Sequence, residues 1–386
     1  MFRRSGFLSD MIRQADLVLL LFCCAASAFG LVMISSATRY MGSADSLRHV
    51  AVQGIAALLG IVLFFFFSQV DITLLAKKWK WVLGFNIVLI LLLKTPLGLD
   101  VNGNLAWLDI PGFPVNIQPA EIVKLTFIVL LARQLVYLKE EKNLRSAGPV
   151  MQLAGHLLLI AGLYYVISSD MGSTLVYAFV FACMAFAAGL ALRWFVIALL
   201  GGGFAFYVLW QEDKLPQHIV ERFIVLFDHN YDPQGVGWHQ TRSLLTLGGG
   251  KLMGQGLFNG TQTQSEFSWS LPFRHTDFIF SAIGEELGML GCLLVVLLLT
   301  AIIVRCLATA TKAKSRMESY ICVGIAGTLI FQSVANIGMC LFVMPVIGLT
   351  LPFFSYGGSS ILTIFMAMGI VSGIRSRSLP EWLRKT

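Results

Sequence analysis

Residues 277–304 read DFIFSAIGEELGMLGCLLVVLLLTAIIV, a long apolar run that carries three carboxylates near its start. A membrane-spanning helix needs roughly 20 apolar residues to cross about 30 Å of hydrocarbon, and this stretch is long enough. An ionisable side chain inside a membrane is costly, so by default it marks a functional position. The stretch therefore predicts a span whose beginning, with Asp277, Glu285 and Glu286, does not face lipid.

The composition of the whole chain agrees with a membrane protein. Apolar residues make up 57% of it and charged residues 13%, against about 25% charged in soluble domains. The sequence predicts an all-α polytopic membrane protein, with about ten spans in a single domain over residues 1–386. A count of nine or eleven stays open, because the third span is short and only SSDMGS separates the fifth from the sixth. The predicted spans are approximately 17–37, 50–69, 80–95, 118–138, 150–168, 171–191, 194–210, 277–304, 319–343 and 354–374.

Basic residues orient the spans, because cytoplasmic loops carry an excess of Lys and Arg. Such residues fall at every second loop, so both termini are predicted to be cytoplasmic, and a long loop over about 211–276 is predicted to face outward. The net charge of +7 reflects this bias and does not indicate nucleic-acid binding. The basic residues used are Arg3, Arg4, Arg13, Lys77, Lys78, Lys80, Lys139, Lys142, Arg145, Arg193, Arg305, Lys312, Lys314, Arg316, Arg375, Arg377, Arg384 and Lys385.

The outward loop is long enough to be a functional element, since loops beyond about 15 residues are usually functional or disordered. It holds four of the six histidines and none of the seven cysteines, so no disulfide framework is predicted. Residues 217–227 have apolar side chains at helical spacing and predict a helix lying flat at the membrane surface. A solvated connector containing such a helix is the alternative to a functional loop.

Two further groups of charges lie near predicted spans. Glu121 and Lys124 are three residues apart, so they share a helix face and predict an ion pair. That pair is either a purely structural contact or part of a cavity wall. Asp170 lies in a very short turn, where the simplest role is the N-cap of a helix that includes Ser173.

Asp277, Ser281 and Glu285 lie near one face of the predicted eighth helix. A carboxylate at a helix start can cap it, and this alternative accounts for Asp277 alone. It does not account for Arg274 and His275 beside it. A polar cavity that opens outward accounts for all of them.

Transporters place ionisable groups near the bilayer midplane, often in repeated halves, and this chain shows no repeat. The pattern favours chemistry at the outer membrane surface on a lipid-linked substrate.

Four segments resemble the signature motifs of the SEDS family (shape, elongation, division and sporulation), which includes peptidoglycan glycosyltransferases of the RodA/FtsW type. They are HTDFIFSAIGEELG, MPVIGLTLPFFSYGGSS, NIQPAEIVKL and ERFIVLFDHNYDPQGVGW with the later GQGLFNGTQTQ. They occur in the family's order over essentially the whole chain, together with the family's ten spans. The GTQ before LPFRHTDFIF is closer to the RodA, or elongation, branch.

The resemblance implies polymerisation of lipid II, an undecaprenyl-diphosphate-linked disaccharide-pentapeptide, on the outer face of the bacterial cytoplasmic membrane. It assigns the family's essential aspartate to Asp277 as general base, in an inverting displacement that releases undecaprenyl diphosphate. Basic side chains would stabilise the leaving diphosphate. A divalent cation is the alternative for that task, although the sequence shows no recognisable metal-ligand spacing.

The remaining substrate contacts are predicted from family positions and from charge. Trp107 would stack on a sugar, with an interfacial belt residue as the alternative. Ser355 and Ser359 belong to SYGGSS, where small residues serve either lipid access or helix packing. The predicted substrate-binding residues are Trp107, Glu121, Lys124, Arg222, His239, Arg242, Lys251, Arg274, His275, Glu285, Ser355 and Ser359.

The chain departs from the family pattern at three places. Phe273 stands where an acidic residue is usual, and Leu105 and Ala106 stand where basic residues precede the loop tryptophan. His239 and Arg242 replace two glutamines, which adds positive charge. These departures bear on substrate contacts and leave Asp277 in place.

The family implies a class B penicillin-binding protein, a single-span transpeptidase, as partner, with membrane lipids around the spans. The implied process is cell wall elongation and cell shape. Two alternatives from other classes are a lipid II flippase and a non-catalytic scaffold for the transpeptidase. A flippase would need a continuous polar path, and His156, Arg133 and Gln332 are the main deeper polar residues. A ligase that transfers glycans from the same lipid carrier is excluded only by the motif match.

Overall fold

The computed structural model describes residues 14–101, 103–112, 116–142, 144–228, 231–232, 235, 237–267 and 269–378. His229 and five basic residues used to orient the chain lie outside the described residues. Those five are Arg3, Arg4, Arg13, Arg384 and Lys385.

The described chain is helical apart from one hairpin and its connections. The helices are α1 (Leu17–Thr38), α2 (Ser43–Gln69), α3 (Ile72–Lys77), α4 (Trp79–Leu91), α5 (Pro119–Glu141), α6 (Ala147–Leu157), α7 (Leu163–Ser168), α8 (Met171–Ala188), α9 (Leu192–Gln211), α10 (Gln217–Phe227), α11 (Trp238–Gly250), α12 (Ile279–Lys312), α13 (Arg316–Cys340) and α14 (Gly358–Ser378). A π-helical turn, Leu158–Gly162, joins α6 to α7.

Eight helical segments of the described chain are long and apolar enough to cross a membrane. Two predicted spans are not among them. The helix α4 has 13 residues, about 20 Å at 1.5 Å per residue, and α5 has 23 residues that include six charged ones. The protein is a helical, polytopic membrane protein. The count of ten spans and the single domain stay predictions.

A small β-hairpin follows α4, and the sequence reading did not predict it. Strands β1 (Gly98–Val101) and β2 (Asn104–Leu108) pair antiparallel. The Asp100 carboxylate accepts a hydrogen bond from the Gly103 N–H, and Gly103 has a φ of 81°. Glycine adopts this conformation without steric cost, so the turn is determined by residues within the hairpin itself.

The helix α14 lies at the centre of the bundle. In its most apolar stretch of 18 residues, 83% of the residues are buried inside the protein, against 67% in α13 and none in α9. An added Cβ at Gly369 would lie 2.5 Å from the Phe64 carbonyl oxygen, and one at Gly373 would lie 2.4 Å from that of Ser68. Glycine therefore lets α14 and α2 pack with their backbones in contact, as small residues do in membrane bundles.

The predicted continuous span over 277–304 is wrong at its beginning. The helix α12 is broken at Gly288, which has a φ of 68° and a ψ of −165°. Residues 278–286 are all buried inside the protein, whereas Met289 and Leu290 beyond the break are half exposed. The break has a packing cause, since a Cβ on Gly288 would lie 2.4 Å from both the Gly254 nitrogen and the Leu252 carbonyl oxygen. The carboxylates of Glu285 and Glu286 therefore lie in the protein interior and not against lipid.

Candidate active site

Asp277 lies where the chain enters α12, but its side chain does not cap that helix. The N-cap residue is Phe278, and it makes no side-chain cap hydrogen bond. No donor among the described residues bonds the Asp277 carboxylate. The capping alternative is therefore wrong, and the carboxylate is left for another role.

The backbone on either side of Asp277 is held tightly. Three successive carbonyl groups each accept a hydrogen bond from a residue far along the chain. The pairs are Tyr356 N to His275 O (2.8 Å), Ser355 Oγ to Thr276 O (2.6 Å) and Asn336 Nδ2 to Asp277 O (2.8 Å). Asp277 thus sits on a turn of fixed geometry.

Burial raises the pKa of Asp277 to about 6, and the nearby Asp170 carboxylate adds to the rise. The ordinary value for aspartate is about 3.9. Such a carboxylate is still mostly ionised at neutral pH and is a stronger base than usual. Asp170 itself caps α8, since it accepts a hydrogen bond from the Ser173 N–H at 3.0 Å, which confirms the predicted N-cap.

Arg274 holds the loop between α11 and α12 together, and its predicted contact with a diphosphate stays a prediction. Its guanidinium lies 3.6 Å above the centre of the Tyr40 ring, and only 4% of the residue is exposed. The acceptors of its hydrogen bonds are the carbonyl oxygens of Gln262, Thr263 and Ser265 and the hydroxyl of Ser270. These acceptors compensate the burial of the charge.

Glu285 also binds the loop, and its predicted contact with a substrate stays a prediction. Its carboxylate accepts hydrogen bonds from the Gln262 N–H and from both the N–H and the hydroxyl of Thr263, at 2.7–2.8 Å. The adjacent Glu286 accepts hydrogen bonds from Ser36 at the end of α1 and from Gln264. Together these two carboxylates fasten residues 262–264 to α12 and α1.

Replacing Glu285 with glutamine is expected to destabilise the fold by about 1–3 kcal/mol. An amide NH₂ would face backbone N–H donors where a carboxylate oxygen now accepts them. The measurement is thermal unfolding of the purified protein in detergent. Glu212→Gln is the matched control, because Glu212 is exposed. Equal melting temperatures for the two variants would contradict the assignment.

His275 lies in a cluster of rings beside Asp277. Its ring centroid is 5.3 Å from that of His49 and 6.0 Å from that of Tyr356. Burial lowers the pKa of His275 to about 4, with smaller contributions from His49 and Arg274. The imidazole is therefore neutral at neutral pH, so it adds no positive charge to the site.

The helices α10 and α11 bring three of the predicted residues toward the start of α12. The His239 ring lies 6.3 Å from that of Phe278, the residue after Asp277. Burial lowers the pKa of His239, and the charge of Arg222 lowers it further. Arg242 stacks on Trp238 with 4.1 Å between its Cζ and the ring centre.

Lys251 follows the C-terminal end of α11 and lies away from Asp277. Its carbonyl oxygen accepts a hydrogen bond from the Met289 N–H, so it sits at the Gly288 break. At 1.5 Å per residue, Met289 is about 15 Å along the chain from the start of α12. The prediction that Lys251 joins Asp277 in one site is not met by this arrangement.

Glu121 and Lys124 form the predicted ion pair, at 2.8 Å and almost fully buried. The Thr363 hydroxyl donates a further hydrogen bond to Glu121. The pair contributes to the wall of a cavity between α5, α13 and α14, which is the cavity-wall alternative of the sequence analysis. The cavity is lined by Glu121, Lys124, Leu125, Ile325, Thr328, Leu329, Gln332, Thr363, Ile364, Ala367 and Met368.

The other predicted contacts have mixed outcomes. Trp107 lies on β2 opposite Leu99 and is partly buried. The Ser355 hydroxyl is used by the protein itself, because it donates to Thr276 and accepts from the Leu351 N–H. The Ser359 hydroxyl is buried, and no described residue bonds it. Ser359 therefore stays a substrate-binding prediction, whereas Ser355 fixes the Asp277 turn.

The structure adds residues that the sequence reading missed. Asn336 and Gln53 are polar side chains within long helices, and the rule that intramembrane polar groups are functional could have identified them. Tyr40 and Ser36 carry no such signal, since their partners are distant in sequence. In the described part of the chain, no three His, Cys, Asp or Glu side chains are grouped so that they could hold a metal ion.

The fold and the site define a multi-pass membrane protein with an ionisable aspartate held at the start of a buried helical segment. The chain belongs to the FtsW/RodA/SpoVE family of cell cycle proteins, whose model matches residues 16–379. The match covers all described spans, as the resemblance implied.

Individual relatives agree with this family. The chain is 34% identical to a probable peptidoglycan glycosyltransferase FtsW of Trichlorobacter lovleyi, over 94% of this chain and 93% of that one. It is 30% identical to the corresponding protein of Geobacter metallireducens, over 95% and 96%.

Two solved structures share the fold. One comes from a study of how a peptidoglycan synthase complex coordinates polymerisation and crosslinking, with a TM-score of 0.78, 27% identity and coverage of 95% and 99%. The other is the rod shape determining protein RodA of Thermus thermophilus, with a TM-score of 0.67, 26% identity and coverage of 95% and 98%.

Proposed function

We propose that this protein polymerises lipid II into β-1,4 glycan strands, with Asp277 as the general base. Its class, a peptidoglycan glycosyltransferase of the SEDS type, follows from its family and from the names of its relatives. The observation that supports the finer proposal is the Asp277 carboxylate, which has a raised pKa, a fixed backbone and no hydrogen-bond donor among the described residues.

The proposed reaction is a single displacement. Asp277 takes the proton of the GlcNAc 4-hydroxyl of lipid II while that oxygen attacks the muramyl anomeric carbon of the growing strand. The bond from this carbon to the diphosphate breaks, and undecaprenyl diphosphate leaves with the electron pair. An α-linked diphosphate thereby becomes a β-linked glycan, because one displacement inverts the configuration.

Positive charge near Asp277 would stabilise the diphosphate as its negative charge grows. Arg222 and Arg242 are the proposed cations, since the charge of Arg222 acts on His239 and Arg242 follows His239 on α11, and the His239 ring lies 6.3 Å from that of Phe278. Lys124 lines the cavity next to α14 and is the third candidate. Arg274 is left out because four protein acceptors already bind it.

The test is polymerisation of labelled lipid II by the purified protein together with its class B penicillin-binding protein, the proposed partner. The transpeptidase is blocked with a β-lactam, so that only glycan polymerisation is followed on a gel. Polymer and released undecaprenyl diphosphate are the expected products. Transfer of lipid II across a vesicle without polymer would favour the flippase, and no product at all would favour the scaffold.

Polymerisation is expected to fall to half its maximal rate near pH 6 on the acid side. The sign follows from the raised pKa, because Asp277 becomes protonated as the pH falls through about 6 and then cannot accept a proton. An ordinary aspartate would keep the enzyme active down to about pH 4. The measurement is the initial rate across the acid range.

Asp170→Asn is the informative variant for this profile. It removes the Asp170 charge, the second cause of the raised Asp277 pKa, so the acid limb, the fall in rate on the acid side of the profile, should move to lower pH. Asparagine remains a good N-cap, so α8 should be unaffected. An acid limb near pH 4 in the wild type would contradict the proposal.

The proposed process is cell wall elongation, from the closeness of the GTQ segment to the RodA branch. The two sequence relatives carry the name FtsW, and one structural neighbour carries the name RodA. Expression in cells depleted of their own RodA or their own FtsW tests the assignment. Restored rod shape supports elongation, and restored septation alone supports division.

A further inference from the structure

We infer that Asn336 is a positioning residue that holds Asp277 in place for proton transfer. This inference rests on the proposed function, because it concerns the aspartate taken as base. Asn336 lies on α13, is fully buried, and donates one hydrogen bond to the Asp277 carbonyl at 2.8 Å and another to the Leu349 carbonyl at 2.7 Å.

The orientation of the Asn336 amide is determined by its partners. Both are carbonyl oxygens, which only accept hydrogen bonds, so the NH₂ group must face them. The two bonds join the Asp277 turn to residues 341–357, the connection between α13 and α14. One amide therefore fixes the relative position of two segments that are about 70 residues apart in sequence.

The connection that Asn336 binds is itself fastened to the bundle. Gln53 on α2 donates to the Ser355 carbonyl at 3.2 Å and accepts from the Gly357 N–H at 3.0 Å. Ser355 and Tyr356 of the same connection hold the carbonyls of Thr276 and His275. Asn336 supplies the last of these contacts, on the carbonyl of Asp277 itself, so it acts closest to the base.

Stability alone does not account for this asparagine. Its Oδ1 is buried, and no described residue donates to it. The cost of an unsatisfied buried acceptor is of the same size as the gain from two hydrogen bonds, so the amide adds little net stability. Its specific effect is geometric, because an apolar residue would leave the Asp277 carbonyl with only the weak, longer contact from the Cys340 thiol at 3.8 Å.

Loss of this contact should act on the chemical step. A general base must lie within hydrogen-bond reach of the proton it takes, and a displacement of about 1 Å can cost about 100-fold in rate. Substrate binding relies on other groups. The expected signature is a lower kcat with little change in KM for lipid II.

The experiment compares wild type, Asn336→Ala and Asn86→Ala in the lipid II assay, with kcat, KM and the pH profile as readouts. Asn86 is the matched control, because it is also a fully buried asparagine with an unpartnered amide atom, and its one hydrogen bond is from Thr126. Asn336→Ala should lower kcat by about 10- to 100-fold. Its acid limb should move to lower pH, because a freed turn exposes the carboxylate to water.

A second variant keeps the inference testable if Asn336→Ala is recovered unfolded. Asn336→Gln retains the NH₂ donor on a side chain longer by one methylene, so it should keep the fold and show a smaller loss of kcat. Wild-type kcat and pH profile in a folded Asn336 variant, or equal losses in the Asn86 and Asn336 variants, would overturn the inference.

The outcomes also separate this inference from the proposed function. A wild type that forms no polymer overturns both. A wild type that forms polymer, together with an inactive Asp277→Asn variant and a fully active Asn336→Ala variant, overturns the positioning role alone.

Discussion

Replacing Asp277 with asparagine is expected to lower lipid II polymerisation by about 10²–10⁴-fold, the usual contribution of a general base. Asparagine has nearly the same shape and cannot take the proton. The backbone bonds to the turn are made by main-chain carbonyls, so they survive the substitution. The loss should therefore appear in kcat, measured as glycan polymer formed per folded enzyme.

The same variant should be at least as stable as the wild type. A carboxyl pKa raised on folding means that burial disfavours the charged form, so ionisation costs stability as the pH rises from about 4 through about 6. Asparagine removes that cost. Asp45→Asn is the control, because Asp45 is exposed in the first turn of α2. Polymerisation by Asp277→Asn at the wild-type rate would reject Asp277 as the base.

Replacing Gly288 with alanine is expected to destabilise the protein by about 4 kcal/mol, the largest effect on stability that we predict. Gly288 has a positive φ, which costs about 1–3 kcal/mol for other residues. The new Cβ would also lie 2.4 Å from main-chain atoms of Leu252 and Gly254, which cannot turn aside as a side chain can. Overpacking of this kind costs typically 1–3 kcal/mol more.

Thermal unfolding and the yield of folded, detergent-purified protein measure this effect. Gly203→Ala is the matched control, since Gly203 lies in α9 and an added Cβ there meets no atom within 4 Å. Alanine is a better helix former than glycine, so the control should be unchanged or slightly more stable. A Gly288→Ala variant as stable as this control would mean that the break in α12 is not required.

The sequence predicted the helical class and the approximate position of the long apolar helices, because apolar runs of span length are a strong signal. It did not predict the shorter helices α3 and α11. It also predicted the Glu121–Lys124 ion pair and the Asp170 cap, which depend on residues three apart. It missed the break at Gly288. That break depends on close packing against residues 252–254, which no local pattern reveals.

The candidate site also contains residues that the sequence identified and residues whose roles it could not predict. Asp277 was identified from a motif resemblance and from its charge near lipid. The roles of Arg274 and Glu285 could not be predicted, because their partners are backbone groups of residues 262–265 that a sequence does not mark as acceptors or donors. A charged side chain near a site thus binds either a substrate or the loop around it, and only the fold decides between them.

The break at Gly288 also affects the order in which the protein is made. Asp277, Glu285 and Glu286 would each disfavour insertion as part of a span, so the apolar run that begins at Met289 is expected to enter the bilayer first. The donors that hold the Asp277 turn come from α13 and from residues 341–357, which the ribosome synthesises later. The Asp277 turn can therefore reach its final geometry only after α13 and residues 341–357 have been delivered to the membrane. A nascent chain that ends after α12 would be inserted and still lack an assembled site.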